Sequence, residues 1–225
     1  VSGSSSHGRR PLRVSLGEGL HRAYGPERRL RVLSELLEPM IPPGATLLDV
    51  GCGDGALDLW LAERRRDVRI HGIDVLVRQG AQTPIETFDG RRIPYGDDAF
   101  DVVLLVDVLH HNEDPEQLLG EAARVARQRI LVKDHTLAGP CARSLLRFMD
   151  EVGNRRFDIA LVYNYWPEAR WRQAFERLGL AVEVWHHRIH LYPRPLDWIF
   201  GRSLHFVAQL GLGRPAPPLA EAPSR

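Results

Sequence analysis

The sequence predicts an α/β domain built on a doubly wound, mostly parallel sheet. Three observations carry this expectation. Short apolar runs alternate along the chain with segments of helical spacing. The first run, Ala45 to Val50, breaks directly into the glycine turn Gly51-Cys52-Gly53-Asp54-Gly55. Four aspartates, Asp49, Asp74, Asp107 and Asp134, fall at the ends of four expected strands, the edge at which open parallel sheets bind ligands.

Taken in order, residues 1–25 read as a flexible extension, since Val1 to Gly8 is rich in Ser and Gly. Pro26 to Met40 carries Leu30, Leu33, Leu36 and Leu37 at helical spacing and stops at Pro42-Pro43-Gly44. Strand one follows at Ala45 to Val50, a helix at Ala56 to Arg65, and a second strand at Val68 to Val75. Only fifteen positions separate Asp74 from Asp89. Parallel strands need about a dozen or more residues to reconnect, so the crossover helix there is shortened to a turn or missing. Phe100 to Val106 reads as a strand, Pro115 to Arg127 as a helix and Arg129 to Lys133 as a strand. Cys141 to Glu151 looks helical, and Pro167 to Leu178 has proline at its start and Gly179 as its stop. Ala181 to Trp185 and Ser203 to Leu210 form a closing hairpin, with the last strand antiparallel. Residues 26–212 then make one domain, and 213–225, rich in Pro and Ala, a disordered tail.

A chain of 225 residues suits a single domain of this kind. Its 30 basic and 29 acidic residues balance, which gives no pull toward nucleic acid or an anionic membrane. Lys133 is the sole lysine. Cys52 and Cys141 are too few for a disulfide framework or a zinc cage, and nothing resembles a signal peptide or a membrane span. A soluble, cytoplasmic setting is expected.

The glycine turn marks a nucleotide-type pocket, because the absence of Cβ atoms lets a ligand approach the backbone beside a helix N-terminus. Gly51-x-Gly53-x-x-Ala56 also fits the dinucleotide fingerprint, with Asp74 at the spacing of a ribose-binding acid. Asp49 separates the two readings. A carboxylate two residues before the first glycine opposes a pyrophosphate but suits a ligand carrying an ammonium and a sulfonium, as S-adenosylmethionine does. The alternative is an aspartate that only caps the turn.

Downstream segments extend the pattern. They are His71-Gly72-Ile73-Asp74-Val75, then Phe88-Asp89-Gly90 with Arg91-Arg92-Ile93-Pro94-Tyr95. Asp97-Asp98-Ala99-Phe100-Asp101-Val102-Val103 leads on to Leu109-His110-His111, and Glu121-Ala122-Ala123-Arg124-Val125 follows. Together with the glycine turn, this series over residues 45–135 resembles the class I S-adenosylmethionine-dependent methyltransferases, in particular the type 11 methyltransferase-domain family. The resemblance implies a Rossmann-like, seven-stranded sheet flanked by helices, with S-adenosyl-L-methionine as cofactor and S-adenosyl-L-homocysteine as product.

It further implies a cofactor site. Asp49 would lie near the methionine ammonium, and Gly51, Cys52 and Gly53 would give backbone approach to the methionine and ribose. Asp74 would take the ribose hydroxyls, and Val75 and Leu76 would pack on adenine. Asp89, followed by Gly90, would accept from the adenine amino group, while Val106 and Asp107 would face the methionyl end. Cys52 reads as a small filler rather than a reactive thiol.

Methyl transfer asks the protein for near-attack geometry and, for a weak nucleophile, a base. His135 and His111 are the candidate bases, and His110 is weighed beside them. Asp134, preceding His135, is expected to raise its basicity. The alternatives are a turn-forming histidine pair and a solvated loop histidine. His186, His187 and His190 on the hairpin lack clear ligand spacing, so no metal is expected. Tyr163, Tyr165, Trp166, Tyr192, Trp198 and Phe200 favour an apolar or aromatic small-molecule acceptor, and Arg155 and Arg156 are candidates to pair with an anionic group. The functional expectation is methyl transfer to a small molecule, with oxygen favoured over nitrogen or carbon, and with no nucleic-acid partner. The alternatives are a non-catalytic or regulatory S-adenosylmethionine-binding protein and, through the glycine turn alone, a nicotinamide oxidoreductase.

Overall fold

Apolar residues on consecutive strand positions demand cover on both faces of a sheet, and the fold supplies it. A computed structural model describes residues 26–154, 162–201 and 203–213. The expected extension at 1–25 lies outside them, as do all but the first residue of the expected tail and the pair Arg155 and Arg156.

The strands are β1 (Thr46–Val50), β2 (Arg69–Asp74), β3 (Ile85–Thr87), β4 (Phe100–Val106), β5 (Ala126–His135), β6 (Ala181–His186) and β7 (His205–Gly211). The helices are α1 (Pro26–Leu37), α2 (Ala56–Arg64), α3 (Pro115–Val125), α4 (Ala142–Asn154), α5 (Glu168–Arg177) and the single turn α6 (Asp197–Phe200). The sheet order is β3-β2-β1-β4-β5-β7-β6. Six strands run parallel, and β7 is antiparallel to both β5 and β6. This is the doubly wound sheet with a reversed strand that the sequence implied.

Alternation along the central strands divides the core. Leu48, Val50, Val103, Leu105, Ile130 and Val132 pack on one face with Leu118, Leu119 and Ala122 of α3 and Trp171 and Phe175 of α5. Leu47, Val102, Leu104 and Leu131 pack on the other with Leu33 and Leu37 of α1 and Leu57 and Leu61 of α2. A third, smaller cluster joins Leu146 and Met149 of α4 to Tyr165 and Leu204.

Three local expectations are corrected. Helix α3 ends at Val125, two residues before the expected Arg127, and β5 starts at Ala126. Side chains explain the early switch: Arg127 Nη1 and Gln128 Nε2 both bond Asp101 Oδ1, at 2.9 and 3.0 Å, and tie this segment to β4 while Ala126 pairs with Phe100. Ile85–Thr87, read as part of the link, is an edge strand against β2. Trp198-Ile199-Phe200, read as loop, belongs to the turn α6.

Candidate cofactor and acceptor site

The turn after β1 is fastened to β2. Gly51 N and Cys52 N both donate to Ile73 O, at 2.7 and 3.2 Å, and Gly53 N donates to Asp74 Oδ2 at 2.8 Å. Gly51 has φ +78°, and a Cβ on it would overlap the Val108 side chain. Both the backbone conformation and the space therefore require glycine there. Gly55, at φ +75°, opens α2.

The short link from β2 to β3 carries no helix. It folds back over the turn instead. Gln82 N donates to Asp54 O at 2.7 Å, Thr83 packs against Gly55, and the Arg78 guanidinium lies over Gly53. The segment made too short for a crossover helix is thus the one that covers the glycine turn. Val75 and Leu76 are exposed, and the Leu76 N–H donates to Asp74 Oδ1. Asp89 is also exposed; its Oδ1 accepts from Arg91 N and Arg92 N, which lowers its pKa. Gly90 takes φ +76°, and its carbonyl accepts from Asn112 Nδ2 at 2.8 Å.

Beneath the turn three carboxyls gather. Asp49 on β1, Asp74 at the end of β2 and Asp58 in the first turn of α2 are all buried. Burial, with Asp58 and Asp74 adding to it, raises the Asp49 pKa well above the carboxylate range. Burial pushes Asp58 up to about 6. Asp49 Oδ1 is buried with no hydrogen-bond partner. Carboxyls that resist ionisation when left alone, with acceptor oxygens of Asp49 and Asp58 unmet, together call for a cationic donor. Cys52, half-buried, has its thiol pKa raised by burial and by the three aspartates, consistent with an unreactive filler.

Val106 ends β4, and Asp107 follows it with φ +56°. The Asp107 carboxylate is ion-paired with the buried Lys133 of β5 and with Arg29 of α1, at 2.7 Å for the arginine. Burial opposes its charge, but Lys133 and Arg29 outweigh burial and hold its pKa well below the usual value.

Leu109–His111 is a 3-10 turn, so the histidine pair does form the bend after β4. His110 and Asp134 are fully buried, with His110 Nδ1 2.6 Å from Asp134 Oδ1. His110 Nε2 lies 3.5 Å from Asp150 Oδ2, and the Tyr165 hydroxyl donates to that same carboxylate. Burial works against charge on His110, yet Asp134 and Asp150 outweigh it and raise the pKa to about 10. His135 is corrected in consequence. Asp134 does not raise its basicity, because that carboxylate serves His110. Burial, then the charge on His110 and on Lys133, pushes His135 well below its usual value. His111 is lowered for the same two leading reasons, burial and His110. Around this charged imidazole, His111 and His135 are the neutral ones.

Among the aromatics, Trp166 and Tyr165 are buried, and Trp166 packs on Trp171 in the core rather than lining a pocket. Tyr163 and Tyr192 are half-buried around α4, and Trp198 is exposed. Sequence reading missed Asp58, Asp150, Arg29 and His205. It noted Lys133 without a role, although a sole lysine among so many arginines was a signal. Nothing in the sequence marked His205.

The comparisons agree with this geometry. The methyltransferase domain family model matches residues 48–129, which span the glycine turn and the histidine pair. The chain is 31% identical over 132 residues to the 27-O-demethylrifamycin SV methyltransferase of Amycolatopsis mediterranei, covering 49% of this chain and 48% of that one. It is 28% identical over 153 residues to the methyltransferase GfsG of Streptomyces halstedii, covering 57% and 55%. Solved structures share the fold. One is the methyltransferase in complex with the Trm112 activator from Haloferax volcanii, with TM-score 0.63, 18% identity, and 89% and 93% of the two chains covered. Another is the magnesium protoporphyrin IX methyltransferase of Synechocystis with bound S-adenosylhomocysteine, with TM-score 0.56, 18% identity, and 82% and 83% covered.

A doubly wound sheet with an acid-backed glycine turn at its C-terminal edge defines a nucleotide-cofactor domain. Residues 48–129 of this domain are similar to the methyltransferase domain family, and its fold is that of solved S-adenosylmethionine-dependent methyltransferases. The chain spans about half the length of the two curated relatives. Among the described residues, no helix is long and apolar enough to cross a membrane.

Proposed function

We propose that this protein transfers a methyl group from S-adenosylmethionine to a small-molecule acceptor, with oxygen favoured over nitrogen or carbon. One observation carries the reading: the buried, partnerless oxygen of Asp49, set among carboxyls beside the glycine turn. The ammonium of a methionine moiety is the donor it lacks. When bound, S-adenosylmethionine supplies the methyl group as an electrophile.

The chain supplies the rest. Asp49 holds the ammonium, Gly51, Cys52 and Gly53 offer bare backbone, and Asp74 binds the ribose hydroxyls. Val75, Leu76, Asp89 and Gly90 form the adenine end. Val106 and Asp107 border the methionyl end, where Lys133 and Arg29 keep the Asp107 carboxylate ionised and fixed. For the acceptor's proton we assign His135. A base must be neutral to accept, which removes His110 and leaves His111 and His135; of the two we choose His135, whose backbone carbonyl accepts from Trp171 Nε1 at 3.0 Å. An apolar or aromatic acceptor suits Tyr163 and Tyr192.

Calorimetry with S-adenosylmethionine and S-adenosylhomocysteine tests the first half, and absence of binding to both sinks it. Asp74→Ala is expected to weaken binding by roughly 1–3 kcal/mol, the scale of a charge-assisted hydrogen bond. A screen of small molecules for a gained methyl mass tests the second half. His135→Gln should abolish turnover while leaving S-adenosylhomocysteine binding intact. Binding with no acceptor ever methylated would make this a non-catalytic binding protein.

A further inference from the structure

His110, His111 and Asp150 serve no step of the reaction described above, yet they converge. One ring nitrogen from each histidine and a carboxylate oxygen of Asp150 lie within 4.8 Å of one another. His110 Nε2 and His111 Nδ1 are both buried without a hydrogen-bond partner. We infer that these three residues form a binding site for a divalent first-row metal ion, a site independent of the methyl-transfer reading.

The donor set is two imidazoles and one carboxylate, which suits ions such as zinc, cobalt or ferrous iron and leaves positions open to an oxygen ligand. Spacing agrees. Ligand atoms at about 2.0–2.2 Å around a tetrahedral ion stand roughly 3.3–3.6 Å apart, and His110 Nε2 lies 3.5 Å from Asp150 Oδ2. The surrounding partners agree as well. A metal-bound histidine usually donates its other ring N–H to a carboxylate, which fixes the tautomer. His110 Nδ1 is bound in this way to Asp134 Oδ1 at 2.6 Å, so Nε2 is the nitrogen left to a metal ion, which takes the place of the proton that Nε2 otherwise carries. The Asp150 carboxylate is held by the Tyr165 hydroxyl.

A neighbouring set, Asp107, Asp134, His110 and His135, is close enough in space but worse in chemistry. Its oxygens already serve Lys133, Arg29, Leu109 N and His135 N, and its His110 nitrogen is the one bonded to Asp134. The His110–His111–Asp150 side is the one with nitrogens to give.

The test uses the full chain stripped of metal and titrated with Co2+, read by visible d–d absorption, with Zn2+ as competitor. The expected result is one tight equivalent with a low-symmetry Co2+ spectrum. Tyr165→Phe should weaken it by roughly 10–100-fold, the usual effect of losing an outer partner, and His111→Gln and Asp150→Asn should each weaken it further. His186→Gln with His187→Gln, which removes the exposed pair, should leave it unchanged. If Asp150→Asn does not fold, the half-buried His111→Gln decides alone. Wild-type binding no tighter than that of His111→Gln, or loss of binding in the His186/His187 double variant, overturns the proposal. His110 would then be an imidazolium paired with two carboxylates and nothing more.

Discussion

His110 and Asp134 form a fully buried pair, Nδ1 to Oδ1 at 2.6 Å, that joins the turn after β4 to the end of β5. Asp134 does more than face His110: its Oδ2 accepts from Leu109 N at 3.0 Å and its Oδ1 from His135 N at 2.6 Å. One carboxylate thereby fixes the backbone on both sides of the histidine cluster. Asp134→Asn keeps the shape but has a single acceptor oxygen and no charge for His110. Breaking one partner of a buried pair costs about 3–5 kcal/mol, and a loss of that size is expected in urea unfolding. Combining it with His110→Gln should restore part of the loss, since no unpaired charge is then left behind.

The carboxyl group beneath the glycine turn predicts a pH dependence of opposite sign to the usual acidic residue. Burial raises Asp58 to about 6 in the folded chain, above the ordinary aspartate value of 3.8. The folded state holds that proton more tightly, so the group's contribution to stability is full below about pH 4 and is lost as pH rises through 6. The difference amounts to about 2–3 kcal/mol. Melting profiles of the ligand-free protein and of Asp58→Asn should therefore diverge between pH 4 and 7, with the variant gaining relative stability as pH rises. A cationic ligand favours the ionised carboxyl, so S-adenosylmethionine binding near pH 6 should release protons. Calorimetry in buffers of different ionisation enthalpy measures that release; parallel melting profiles would count against the assignment.

Lys133 is 1% exposed and is the chain's sole lysine. Burial lowers its pKa, partly offset by Asp107, and a lowered pKa alone would make an amine more reactive. Lack of access outweighs that effect. An amine-acylating reagent should modify the chain terminus of the folded protein and leave Lys133 untouched until denaturant is added, as read by peptide mass. Rapid modification of Lys133 under native conditions would mean that the Asp107 pair opens freely.

The fold and half the site were legible for one reason: they depend on local pattern. Val102 to Leu105 had to be a two-sided strand, and Gly51 and Gly53 had to be a turn. The histidine cluster depends instead on partners far apart in the chain. Asp134 precedes His135 in sequence, yet strand geometry turns its carboxylate toward His110, 24 positions away. Asp150 and Tyr165 meet only because α4 packs back on the sheet. Asp58 looked like an ordinary first-turn acid of α2, and only three-dimensional packing sets it against Asp49.

Gly51 offers a test of the cradle that separates backbone from space. Alanine there must hold φ near +78°, which costs about 1–2 kcal/mol for a residue other than glycine, and its Cβ must overlap Val108. Overpacking adds about 1–3 kcal/mol. Gly51→Ala should therefore lower stability by roughly 2–5 kcal/mol in denaturant unfolding. Val108→Ala removes the methyl groups that the new Cβ would meet, so in the double variant only the backbone part should remain beyond the cost of Val108→Ala itself. If the two substitutions were simply additive, the side chain of Val108 would not be what confines the turn. The close approach would then be a matter of backbone conformation alone.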